Sequence, residues 1–291
     1  MPTIGFVGLG NMGGPMAANL VKSGEHVLGY DAVAAAREAS AQSGVQIVDN
    51  ARSVTDDADV IITMLPAGEQ VLSVWNDIAP RARQGTLFID CSTIDVASAR
   101  KAHTLAASRG IATLDAPVSG GVGGAKAATL TFMVGGSMHA FERGKSVLAR
   151  MGKRIVHCGE AGNGQAAKIC NNMILGISMI AVSEAFVLGE KLGLSHQALF
   201  DVASASSGQC WSLTNYCPVP GPVPASPANS GYKPGFAAAL MLKDLKLAQA
   251  AAESVKARTT LGAQAAHIYE SFAEHGQGAA DFSAIIKFVR G

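Results

Sequence analysis

A chain of 291 residues with 23 Lys+Arg against 22 Asp+Glu carries a formal net charge of +1, which leaves no basic footprint for nucleic acid and points to a small-molecule partner. Its 48% apolar and 15% charged residues exclude disorder and allow a sizeable core. Strand-like sequence begins at Thr3, so no secretory signal is expected. The five cysteines (Cys91, Cys158, Cys170, Cys210, Cys217) form no CxxC pair, the usage of a reducing, cytoplasmic compartment. The seven histidines show no HxxxH spacing and no grouping with cysteines or acids, so no metal site is expected.

Through about residue 160, short β-branched runs alternate with Ala-rich stretches. Strands are predicted at 3–8, 26–31, 59–65, 86–92, 112–118, 130–135 and 154–158, and their nearly continuous apolar character suits a parallel sheet buried on both faces. That alternation predicts an α/β, doubly wound sheet of Rossmann type over residues 1–162. From Asn163 strand signals vanish, and helical patterns predict an all-α domain over 163–291 that begins with a long interdomain helix. The longest charge-free apolar stretch, 169–183, falls short of the about 18 residues a membrane span needs and predicts a buried helix with no membrane association. Residues 218–227 hold five of the eleven prolines, the composition of a linker. Because helical patterns resume afterwards and Trp211 and Tyr216 precede the stretch, an ordered loop over a pocket is the better reading.

The first strand runs into Gly8-Leu9-Gly10-Asn11-Met12-Gly13, a GxGxxG turn before a helical segment. Gly8 suits the tight turn, Gly10 close approach to a pyrophosphate and Gly13 helix–strand packing, while helix-start amides meet the phosphate charge. The second strand ends in Asp31, where the acid that binds the ribose belongs. No arginine follows until Arg37, so a 2′-phosphate would meet a carboxylate and no close cation, and NAD is expected over NADP. Gly144-Lys145-Ser146 imitates the end of a P-loop but has His139 where that motif needs glycine.

Two further segments stand out. In Asp115-Ala116-Pro117-Val118-Ser119-Gly120-Gly121 the Ser119 hydroxyl and glycine amides suit a carboxylate, although a plain strand-to-loop turn reads equally well. Lys168, Asn171 and Asn172 share one helix face at i, i+3 and i+4. They read either as a snorkelling lysine with backbone-bonding asparagines or as a chemical constellation. Trp211 is either a core aromatic or a pocket wall that excludes water.

With Lys243-Asp244-Leu245-Lys246-Leu247-Ala248, these four ordered motifs resemble the β-hydroxyacid dehydrogenases over the whole chain. The resemblance implies NAD-dependent oxidation of a small hydroxy acid, with Lys168 as acid/base, Asn172 positioning the substrate, and Ser119, Gly120 and Gly121 holding its carboxylate. It places Leu65, Pro66 and Thr93 along the dinucleotide beside Gly8, Gly10, Asn11, Met12, Gly13 and Asp31, and Lys243 near the nicotinamide. Trp211 and its loop point to one substrate subfamily. A homodimer or homotetramer is implied. The rival expectation is a silent NAD-binding sensor on the same fold.

Overall fold

The computed structural model describes residues 2–291, and the chain divides into two compact units, Met1–Lys168 and Ile169–Gly291.

In the first unit, one sheet contains β1 (Thr3–Val7), β2 (His26–Tyr30), β3 (Gln46–Ile47), β4 (Val60–Thr63), β5 (Leu87–Asp90), β6 (Ala112–Asp115), β7 (Val118–Ser119), β8 (Leu130–Gly135) and β9 (Gly152–Gly159). The order is β3-β2-β1-β4-β5-β6-β8-β7, with β9 also paired to β8. The six strands from β3 to β6 are parallel, whereas β8 runs antiparallel to β6 and β7. Two-residue β3 and β7 escape sequence periodicity, and the predicted strand over 112–118 is broken at Ala116-Pro117, where proline cannot donate to a ladder.

The connecting helices are α1 (Gly13–Lys22), α2 (Ala34–Ala41), α3 (Gly68–Ile78), α4 (Val96–Ala107), α5 (Gly121–Lys126) and α6 (Met138–Leu148). Successive strand residues face opposite sides, so Ile62 and Ile89 join the core that includes Met16 and Leu20, while Ile61 and Phe88 pack with Val71 and Trp75. Both faces are therefore covered, as the apolar strands required. After β1 the chain builds β2 and β3 to one side and then crosses to β4 on the other. That switch point lies at the carboxyl ends of β1 and β4, where parallel α/β sheets bind ligands.

A long helix, α7 (Asn163–Lys191), follows β9. The expected domain limit at 162/163 coincides with the start of this helix, and the compact units divide after Lys168. The Gly162 and Gln165 amides donate to the Asp115 carboxylate at 2.8 and 3.0 Å, which fastens the beginning of α7 to β6. By length and composition alone, the 29-residue α7 could cross a membrane, contrary to the expectation from its charge-free stretch; half of its most apolar window is buried within the chain, as in a core helix.

The second unit continues with α8 (His196–Ser204), α9 (Trp211–Thr214), α10 (Ala238–Ser254), α11 (Thr260–Phe272) and α12 (Ile285–Arg290). Its core includes Met179, Phe186, Met241, Leu245, Tyr269, Phe272 and Ile285. The proline-rich stretch is an ordered loop of this unit. Ser226 Oγ donates to the Cys217 carbonyl at 2.6 Å, Asn229 Nδ2 to Val223 at 2.8 Å and Tyr232 OH to Pro218 at 2.8 Å.

Candidate active site

Two glycines of the GxGxxG turn have the tight geometry expected of them, and the third stands open. Gly8 has φ +96°, and a Cβ there would run into the Met64 carbonyl. A Cβ on Gly13 would strike the Gly8 carbonyl oxygen, so the first turn of α1 lies directly against the β1–α1 turn. Gly10 is exposed and a Cβ would meet nothing within 4 Å, leaving an open cradle at the helix start beside Asn11 and Met12. These are the fit requirements of a dinucleotide pyrophosphate.

Asp31 closes that turn from the next strand. Its Oδ2 accepts the Leu9 amide and its Oδ1 the Val33 amide, both at 2.7 Å, which leaves further lone pairs for ribose hydroxyls. One expectation is corrected here. Arg37 folds back from α2 onto the same loop, donating to the Asp31 and Ala32 carbonyls at 2.6 and 3.1 Å, so a cation does lie close to the acid. Arg37 stands in the first turn of α2, where side chains lean toward the helix N-terminus, and this carries its guanidinium back over the preceding loop.

Leu65 and Pro66 follow β4 and Thr93 follows β5, so all three stand at carboxyl strand ends near the switch point. Beneath them Asp90, the last residue of β5, is buried. Burial pushes its carboxyl up to about 6, opposed by hydrogen bonds from Ser92 and Thr63, with nearby Asp115 adding to the rise.

Lys168 is buried, and its Nζ donates to the Val118 carbonyl at 2.8 Å. Val118 precedes Ser119, Gly120 and Gly121, where the chain leaves β7 through two positive φ angles of 133° and 59°. The helix start that carries Lys168 is held by Asp115, which also bonds His103 Nε2 at 3.0 Å, while Thr113 Oγ1 lies 2.6 Å from His103 Nδ1. The strand predicted to carry carboxylate-binding groups thus also supplies the anchor for α7.

Within the second unit, Asn172 is buried and its Nδ2 donates to Asp244 Oδ2 at 2.5 Å; Asn171 Nδ2 donates to Asn172 Oδ1 at 3.0 Å. Asp244 and its neighbour Lys243 lie on α10. Sequence marks Asp244 only as part of its motif, although it carries a signal of its own as a carboxylate on the buried stripe Met241, Asp244, Leu245, Ala248. Trp211 is half exposed, not a buried core aromatic, and stacks on Tyr216 with ring centroids 5.0 Å apart. Tyr216 stacks in turn on Phe282 at 5.2 Å and donates to Asp281 Oδ2 at 2.9 Å. Burial, reinforced by Asp281, pushes the Tyr216 phenol well above its ordinary value.

A sheet parallel from β3 to β6 with GxGxxG at its switch point, an acid directly after the second strand and a helical second unit fit the class of nicotinamide-dinucleotide oxidoreductases. Residues 3–159 match a family model described as the NAD binding domain of 6-phosphogluconate dehydrogenase. Residues 162–289 match one described as NAD-binding of NADP-dependent 3-hydroxyisobutyrate dehydrogenase. The chain is 48% identical over 298 residues to 3-hydroxyisobutyrate dehydrogenase of Pseudomonas aeruginosa, covering 100% of this chain and 99% of that protein. It is 47% identical over 290 residues to a probable mitochondrial 3-hydroxyisobutyrate dehydrogenase of Dictyostelium discoideum, covering 99% and 90%. A solved Mycobacterium tuberculosis 3-hydroxyisobutyrate dehydrogenase with L-serine is 54% identical, with a TM-score of 0.97 and 100% of both chains covered. The chain belongs to the 3-hydroxyisobutyrate dehydrogenase family.

Proposed function

We propose that this chain catalyses the reversible, NAD-dependent oxidation of 3-hydroxyisobutyrate to methylmalonate semialdehyde, a step of valine breakdown. The observation that carries this reading is the buried Lys168, fastened to the strand that leads into Ser119 and placed one helical turn before Asn172. In this mechanism Ser119, Gly120 and Gly121 hold the substrate carboxylate, and Asn172 orients the hydroxyl. Lys168, in its neutral form, accepts the hydroxyl proton. When bound, the nicotinamide supplies the hydride acceptor. Fixing the carboxylate and hydroxyl together removes much of the entropic barrier, and Trp211 walls the substrate.

Gly8, Gly10, Asn11, Met12, Gly13, Asp31, Leu65, Pro66, Thr93 and Lys243 are assigned to the dinucleotide. NAD is preferred because the Asp31 carboxylate disfavours a 2′-phosphate, and Arg37 moderates that preference. Exposed Ile174 and Leu188 on α7, with exposed Leu192 just beyond its end, support assembly as a homodimer or homotetramer.

The test is NADH formation from NAD with a panel of 3-hydroxyisobutyrate, serine, glycerate and 4-hydroxybutyrate. The highest kcat/KM is expected for 3-hydroxyisobutyrate. The relative solved with L-serine supports serine as the second reading. Turnover on none of the panel would overturn the enzyme reading in favour of an NAD-binding sensor.

A further inference from the structure

Thr63, Asp90 and Asp115 are lateral partners in one row at the carboxyl ends of β4, β5 and β6, so their side chains rise on the same face of the sheet. Asp90 Oδ1 accepts the Thr63 hydroxyl at 2.7 Å, the Ser92 hydroxyl at 2.6 Å and the Ser92 amide at 3.3 Å. Trp75 Nε1 backs the cluster by donating to Thr63 Oγ1 at 3.2 Å.

Ser92 relays this hold to the neighbouring loop, because its Oγ accepts the Leu65 amide at 2.8 Å. Its own carbonyl accepts Gln165 Nε2 at 2.8 Å, while Gln165 Oε1 accepts the Ile94 amide at 3.1 Å, gripping Thr93 from both sides along the chain. One carboxylate oxygen thus organises both loops that leave β4 and β5 beside the switch point. The other oxygen, Oδ2, is buried without a hydrogen-bond partner, which carries a desolvation cost.

We propose that Asp90 is a positioning residue for the dinucleotide, acting through the Ser92 hydroxyl to hold the Leu65 and Thr93 loops in their binding conformation. The proposal rests on the assignment of Leu65, Pro66 and Thr93 to the dinucleotide site. Asp90 itself does not touch the ligand. Its function is to keep the Ser92 hydroxyl pointed down at the carboxylate, so that an oxygen lone pair faces the Leu65 amide and that loop does not spend its ordering entropy at the moment of binding.

The experiment is titration of the full-length protein with NADH, followed by nicotinamide fluorescence, for the wild type, Asp90→Ala, Asp90→Asn and Ser92→Ala, with amide hydrogen exchange at Leu65 measured in the absence of nucleotide. Asp90→Ala and Ser92→Ala should each weaken NADH about tenfold or more and speed exchange at Leu65. Asp90→Asn, which keeps an acceptor oxygen, should stay within about threefold of wild type. A merely structural role would lower the thermal midpoint and leave the Kd of the folded fraction unchanged. Folded Asp90→Ala or Ser92→Ala that binds NADH as tightly as wild type overturns the proposal, as does Asp90→Asn binding as poorly as Asp90→Ala. Should Asp90→Ala fail to fold, Ser92→Ala, which leaves the carboxylate in place, decides the matter. Wild type that fails to bind NADH sinks the dinucleotide reading itself, a result distinguishable from all of these.

Discussion

Asp90 should leave a signature in how the stability of the first unit depends on pH. Its carboxyl titrates at an ordinary 3.8 and is raised by burial to about 6 in the folded chain. A carboxyl raised on folding contributes stability that is fully present below the unfolded value and is lost as pH rises through the folded one. The gap of roughly two units amounts to about 3 kcal/mol at 1.36 kcal/mol per unit, and full burial of the group leaves no solvent screening to discount. About 2 kcal/mol of this falls between roughly pH 4.5 and 8. Asp90→Asn keeps an oxygen for Thr63 and Ser92 but cannot ionise. The unfolding free energy of the variant, minus that of wild type, should therefore climb by about 2 kcal/mol across that range, whatever constant cost the amide nitrogen brings. The titratable groups around Asp90, namely Asp115 on β6 with its partner His103, and the neighbouring Cys91, are common to both proteins. Trp75, bonded to Thr63, reports on this region, and in a Trp211→Phe background it is the sole tryptophan, because the chain has two. Urea unfolding followed by Trp75 fluorescence at closely spaced pH values gives the difference directly. A difference that stays flat from acid to neutral pH would show that Asp90 titrates alike in the folded and unfolded chain, and the desolvation argument would be wrong.

Lys168→Ala should lose about a hundredfold or more in kcat for alcohol oxidation, together with the rise of that rate with pH, while NADH still binds; near-normal kcat with weakened NADH binding would make the residue a cofactor contact instead. Asp31→Ser should lower the NAD-to-NADP ratio of kcat/KM about tenfold or more, because Arg37 already stands at that loop to meet a 2′-phosphate, and an unchanged ratio would remove Asp31 from cofactor selection. Asp244→Ala strips the buried Asn172 amide of its acceptor and should reduce kcat/KM for the hydroxy acid about tenfold with the NADH Kd unaltered; if NADH affinity falls instead, Asp244 serves the cofactor end. Trp211→Ala should raise KM or reorder the substrate panel and spare NADH binding, which titration with NADH checks.

What could be read along the chain and what could not separates by range. All the strands of the parallel sheet except two-residue β3 announce themselves because each is a short apolar run, and GxGxxG is legible because the turn, the close approach and the helix packing all act within six residues. Lys168 and Asn172 stood out as polar residues on an apolar helix, a contrast visible in a single turn. The partners of these groups lie elsewhere. Asp115 fastens α7 through amides at Gly162 and Gln165, and Asn172 is bonded to Asp244, in each case across a long stretch of intervening chain. The nearness of Arg37 to Asp31 is illegible for a related reason: six residues separate them along the chain, and only the backward lean of a first-turn side chain on α2 brings the guanidinium to the loop.

Four buried carboxylates share one structural role. Asp90 and Asp115 end apolar strands, Asp244 lies on the buried stripe of α10 and Asp281 is buried beside Phe282, and a carboxylate is almost never buried unless something compensates it. Each position could therefore have been marked from sequence as an anchor, with its partner left open. The structure shows what these anchors hold: the loops after β4 and β5, the start of α7, the Asn172 amide, and the stack beneath Trp211. Every one of these is a segment to which the mechanism assigns a ligand-facing role. In this chain the groups proposed to meet the substrate and cofactor are held by acids one step removed from them, at the ends of apolar strands, on a helix's buried stripe or beside a buried phenylalanine.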